Sequence, residues 1–191
     1  LFVSQYRSDR AEPIFISSHL VQWVSKYALK RTIPLVIALN STTPSSRNAE
    51  EQMYRKLLKT PFNCTSRVDD YLASYRALLN SRIIIGCNSS LLVESLAMGF
   101  PTLLCWNQFI LHEETYNENV LYFDKEEFNQ FSTTTNSTYP EFVSKADEII
   151  SQSNVIQSKF INTIRANYCA FNPELDVIKL IQNKLEELLH N

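Results

Sequence analysis

The sequence predicts an α/β domain, a parallel sheet with helices on both faces followed by a helical C-terminal tail. Short, continuous apolar runs at residues 1–3, 35–39, 83–85 and 102–106 read as strands buried on both faces. Amphipathic stretches alternate with them from residue 1 to 131, the pattern of parallel strands joined by crossover helices. The 191 residues, 45% apolar and 20% charged, suffice for one sizeable core.

The first strand, Leu1-Phe2-Val3, leads into the polar loop Ser4-Gln5-Tyr6-Arg7-Ser8-Asp9. Across residues 14–30, Ile16, Leu20, Trp23, Val24 and Tyr27 recur at helical spacing. Pro34 precedes the strand at 35–39, and a Ser/Thr/Pro loop is expected over 40–48. A helix over 49–58 carries Met53, Leu57 and Leu58 as its apolar edge. Asp69 or Asp70 is placed to cap a helix at 71–79. A strand at 83–85, a helix at 89–98 and a strand at 102–106 follow; Gly99 suits a left-handed helix stop, and Pro101 prevents continuation. A polar loop over 107–119 precedes a last short strand at 120–123, and Asp124 caps a helical turn over 125–131. The expected organisation is a sheet domain over 1–131, a Ser/Thr/Asn linker at 132–139 and helices over 140–191 packing on the same domain. The absent initiator Met and the opening strand predict a fragment or excised domain.

Composition excludes several functions. A net charge of −2 offers no basic surface for nucleic acid. Gly86 and Gly99 are the only glycines, so no Gly-rich dinucleotide or P-loop fingerprint exists. No apolar run approaches the ~20 residues of a membrane-spanning helix, and the first residues lack the basic segment followed by an apolar one that a signal peptide would show, so none is expected. Cys64, Cys87, Cys105 and Cys169 form no CxxC pair, so no metal site is expected, and buried free thiols point to a reducing, cytoplasmic location. The N-x-S/T matches at Asn40, Asn63, Asn88 and Asn136 are of the number that an Asn/Ser/Thr-rich chain produces by chance.

The chemistry concentrates after the strand at 83–85. The turn Asn88-Ser89-Ser90 opens a helix, where unpaired N–H groups and the helix dipole favour an anion and small hydroxyls add donors. Simple N-capping by Asn88 or Ser89 explains the same residues. Glu94 weighs toward the ligand: it lies on a helix otherwise apolar nearly all round, where a carboxylate needs a partner, and a ribose diol supplies two donors. A pair with Arg82, or a solvated stripe, is its alternative. Gln5 and Arg7 occupy the first loop, where Arg7 either neutralises a leaving diphosphate or pairs with Asp9. Asn40-Ser41 follows the second strand and is placed to touch base or ribose, and loop chemistry explains it equally well. His112, beside Glu113, is a candidate base or phosphate contact, against the commoner reading of a surface histidine. Asp69-Asp70 reads as a helix cap rather than a metal pair.

The run Ile-Ile-Ile-Gly-Cys-Asn-Ser-Ser-Leu-Leu-Val-Glu-Ser-Leu-Ala-Met-Gly-Phe-Pro-Thr-Leu-Leu at 83–104 resembles the donor-binding segment of GT-B-fold glycosyltransferases, especially bacterial transferases of surface carbohydrate biosynthesis. The likeness extends over residues 68–128. It implies a Rossmann-like fold, one half of a GT-B enzyme, with Ser89 and Ser90 on donor phosphate and Glu94 on the nucleotide ribose. It implies a metal-independent transferase with no cofactor, taking a nucleotide sugar as substrate and a glycan or lipid-linked acceptor, completed by an N-terminal acceptor domain. Its expected location is cytoplasmic, extending to the inner membrane face. Retaining members with a second Glu eight residues before the ribose Glu differ from this chain, which has Gly86 there. A nucleotide-sugar epimerase or hydrolase of the same fold, or a non-catalytic nucleotide-sugar-binding module, remains open.

Overall fold

The computed structural model describes residues 1–6, 12–87, 89–105, 126–133, 138–151, 161, 162 and 164; for 12–17, 126, 127 and 129 only the backbone is considered. Five parallel strands form one sheet: β1 (Phe2–Val3), β2 (Val36–Ala38), β3 (Asn63–Thr65), β4 (Ile84–Gly86) and β5 (Thr102–Leu104), in the order β3-β2-β1-β4-β5. The helices bounded among the described residues are α1 (Glu12–Arg31), α2 (Pro44–Leu57), α3 (Ala73–Leu79), α4 (Ser90–Ala97) and α5 (Tyr139–Ser151), with a 3-10 turn at Glu126–Phe131. This is a Rossmann-like arrangement.

Side-chain alternation along the strands builds two cores. Phe2, Ile37, Ile85 and Leu103 face α1, α2 and α5 on one side. Val3, Ile84 and Leu104 face Leu78 of α3, Leu92 and Leu96 of α4, and Phe128 and Phe131 of the 3-10 turn on the other. Both faces are therefore covered, which is why these strands read as unbroken apolar runs. On the first face, Phe142 of α5 meets Trp23 and Tyr27 of α1 at ring-centroid distances of 5.7 and 5.9 Å.

Helix ends follow local chemistry. Gly99 takes φ +85°, with its N–H donating to Leu96 O and that of Phe100 to Ser95 O, both at 2.9 Å. This Schellman closure ends α4 where the sequence predicts it. Thr138 donates its N–H and hydroxyl to Glu141, which lowers the Glu141 carboxyl pKa through the backbone and then the side-chain hydrogen bond.

Three elements differ from expectation. Helix α2 begins at Pro44 rather than 49 because Thr43 and Ser46 form a reciprocal capping box with Pro44 in the first turn. Helix α3 begins at Ala73 rather than 71 because Asp70 Oδ1 accepts the Leu72 N–H at 3.0 Å, an Asx turn that delays the helix. The edge strand β3 escapes sequence reading because Asn63, Cys64 and Thr65 are polar or small and only partly covered. The expected strand at 120–123, the loop at 107–119 and residues 165–191 of the expected C-terminal helices lie outside the described residues.

Gly86 has a packing reason. A Cβ there would lie 2.9 Å from Leu92 Cδ1 and 3.2 Å from Val3 Cβ, so an added methyl would have to push the Leu92 side chain aside and crowd Val3. Gly86→Ala is expected to cost about 1–3 kcal/mol of stability by overpacking, measured by urea unfolding with an unchanged m-value.

Candidate functional site

In the strand order, β1 and β4 are neighbours whose following connections leave toward opposite edges of the sheet. A crevice opens at such a switch point, at the carboxyl ends of the strands. A cleft lies there. Val3 and Ser4 line it from the end of β1, Asn40 from the end of β2, and Arg67 from the turn after β3. Ser89, Ser90 and Glu94 enter from the start of α4, and Tyr71, Ser74 and Tyr75 from α3 and the turn before it. Its volume is about 110 Å³, against the roughly 10–15 Å³ that holds one water.

The wall formed by β1 and β2 is built on a buried carboxylate. Glu50 of α2 is 0% exposed. It accepts four hydrogen bonds: Ser4 Oγ at 2.5 Å and the Asn40 N–H at 3.1 Å on Oε1, the Ser41 N–H at 2.9 Å and Ser41 Oγ at 2.5 Å on Oε2. Four donors compensate the burial of a group that is otherwise costly inside a protein. Tyr54, one turn along α2 and also 0% exposed, places its hydroxyl 2.6 Å from Ser4 Oγ. Ser4 Oγ in turn accepts the Tyr6 N–H at 3.1 Å, and Asn40 Nδ2 donates to Tyr6 O at 3.0 Å. One carboxylate thus ties the ends of two neighbouring strands and the start of the first loop into a single frame.

Past β3, Ser66 turns the chain. Its hydroxyl accepts the Val68 N–H, and its carbonyl accepts the N–H groups of Asp69 and Asp70. This turn presents Arg67, an exposed residue whose Nη2 lies 3.5 Å from Asn40 Oδ1. Asp69 and Asp70 form ion pairs with Arg47 and Arg76. Among the described residues no group of His, Cys, Asp and Glu could hold a metal ion.

On the opposite wall, Ser89 is the N-cap of α4 by position, with extended backbone at φ −150° and ψ 140°, yet its side chain makes no capping hydrogen bond. Capping therefore does not account for this serine's hydroxyl. Glu94 lies one turn further and is half-buried. The Tyr75 hydroxyl donates to its Oε2 at 2.6 Å. That hydrogen bond, then burial, pushes the Tyr75 phenol up to about 12. No ion pair joins Glu94 to Arg82 among the described residues.

The structure brings Asn40, Ser89, Ser90 and Glu94 to one cleft. Gln5 follows Ser4 but does not line it. Arg7, Asn88 and His112 lie outside the described residues. Sequence reading missed Glu50, Arg67, Tyr71 and Tyr75. Glu50 carried a signal, for it falls on the stripe of Met53, Tyr54, Leu57 and Leu58, where a charged residue is out of place unless satisfied.

None of the described cysteines lines the cleft. Cys64, Cys87 and Cys105 are free thiols. Cys87 donates to Cys105 O at 2.8 Å, and burial raises the pKa of both thiols, which makes them unreactive. No helix among the described residues is long and apolar enough to cross a membrane. Comparison with family models, curated proteins and solved structures finds no match to this chain.

Proposed function

We propose that this chain is the donor-binding half of a GT-B-fold glycosyltransferase, transferring a sugar from a nucleotide donor to a glycan or lipid-linked acceptor in the cytoplasm or at the inner membrane face. The observation that carries the reading is the convergence of Glu94 and a Ser89 hydroxyl that makes no capping hydrogen bond on a cleft at the switch point of the sheet. The spacing suits a nucleoside diphosphate. The phosphates would lie at the N-terminus of α4, near Ser89 and Ser90, with the ribose one turn along at Glu94.

The chemistry asked of this half is modest. When the bond from the sugar's anomeric carbon to the diphosphate breaks, negative charge builds on the departing phosphate oxygen. The N-terminal dipole of α4, the hydroxyls of Ser89 and Ser90 and the guanidinium of Arg67 are placed to stabilise it without a metal. Arg67 would supply the kind of positive charge for which Arg7 is also a candidate.

Isothermal titration of the full chain with UDP, GDP, CDP and CMP tests the reading. One nucleoside diphosphate is expected to bind, and more tightly than CMP, because the second phosphate adds contacts at the N-terminus of α4. Absence of binding by all four contradicts it.

A further inference from the structure

Glu94 has one oxygen engaged and one open. Tyr75 donates to Oε2, whereas Oε1 has no partner among the described residues. A carboxylate offers about four lone-pair sites, so the Tyr75 bond leaves room for two incoming hydroxyls. The phenol comes from a different element: Tyr75 is on α3, Glu94 on α4, and both line the cleft. A glutamate has three side-chain torsions, and ordering it on ligand binding carries an entropy cost. A hydroxyl already holding one oxygen reduces that cost before the ligand arrives.

We propose that Tyr75 is a positioning residue: its hydroxyl holds Glu94 in the rotamer that receives a vicinal diol, so that α3 sets the cleft's preference for a ribose carrying both hydroxyls. The proposal rests on the nucleotide reading above and adds to it a residue acting through Glu94. Its expected signature is selective. A purely structural tyrosine would change the affinity of every ligand alike, whereas a residue acting through Glu94 changes only what Glu94 touches. The competing physical outcome is equally definite. If the phenol occupies the place of a ligand hydroxyl, removing it frees Glu94 and tightens binding.

The test is a titration of wild type, Tyr75→Phe and Glu94→Ala with UDP, GDP and CDP and with their 2′,3′-dideoxy counterparts. Phenylalanine keeps the ring and removes one oxygen at a residue that is 37% exposed, so the fold is expected to survive. Tyr75→Phe is expected to weaken the ribonucleotide about fivefold to tenfold, the scale of one net hydrogen bond, since the lost bond acts on the ligand only through Glu94, and to leave the dideoxy counterpart unchanged. Equal loss for both ligands, tighter binding of the ribonucleotide, or no change overturns the proposal. If Glu94→Ala abolishes the diol preference while Tyr75→Phe retains it in full, the Tyr75 role fails and the ribose reading stands. If wild type shows no diol preference, the ribose reading fails and the Tyr75 role falls with it.

Discussion

Glu50→Ala is expected to destabilise the chain by about 3–5 kcal/mol, a large share of the ~5–15 kcal/mol that holds a domain together. The cause is the set of donors left behind. Removing the carboxylate strands the N–H groups of Asn40 and Ser41 and the hydroxyls of Ser4 and Ser41 at the junction of β1, β2 and α2. Each buried donor without a partner costs about 1–3 kcal/mol, though the hydroxyls can rotate toward other acceptors. Glu50→Gln keeps one carbonyl acceptor but turns an NH2 group toward donors, so a smaller loss of about 1–3 kcal/mol is expected. Urea unfolding followed by circular dichroism measures both. A loss under about 1 kcal/mol for Glu50→Ala would mean that water replaces the carboxylate and that the frame is wet. Because Ser4 and Asn40 also line the cleft, the same substitution is expected to weaken nucleotide binding in whatever fraction remains folded.

Phe142→Ala is expected to cost a similar amount, about 3–5 kcal/mol, by the loss of a buried aromatic and the cavity it leaves. Phe142 is 0% exposed and sits among Trp23, Tyr27 and Tyr139. It anchors α5 to α1, and Ala146 and Ile149 continue the same buried face. The Tyr27 hydroxyl adds a hydrogen bond to Asp147 at 2.7 Å, and Arg31 pairs with the same carboxylate. These polar contacts lie at the edge and contribute little beside the ring. A thermal melt that falls sharply for Phe142→Ala while Arg31→Ala stays near wild type would bear this out. The reverse order would place the stability of the α1–α5 contact in its ion pair.

The two substitutions separate what the sequence makes legible from what it hides. The apolar runs that became β1, β2, β4 and β5 announce themselves because each is covered on both sides. Gly99 is equally plain, since a glycine before Phe100-Pro101 has few roles other than a left-handed stop. The strand β3 is hidden because an edge strand needs pairing more than burial, and Asn63-Cys64-Thr65 looks like loop chemistry. Missing β3 also hid Arg67, whose significance comes only from standing just past a strand's carboxyl end. Glu94 was legible as a carboxylate on an apolar helix, but its partner was not. Tyr75 lies on a different helix, and no local pattern pairs two side chains across a sheet connection. Glu50 was likewise legible as a charge on the apolar stripe of α2, but its partners were not: they are two backbone N–H groups and two serine hydroxyls, none of which leaves a charge signature in the sequence.

The claim that joins these residues is that Glu94 receives the ribose of a nucleoside diphosphate held at the start of α4. Its most direct test is the affinity of that nucleotide for Glu94→Ala beside wild type, with the fold checked by circular dichroism. The predicted result is a loss of about 1–3 kcal/mol, or roughly fivefold to 150-fold, as a charged hydrogen-bond acceptor is removed. Unchanged affinity in a well-folded Glu94→Ala chain would contradict the account.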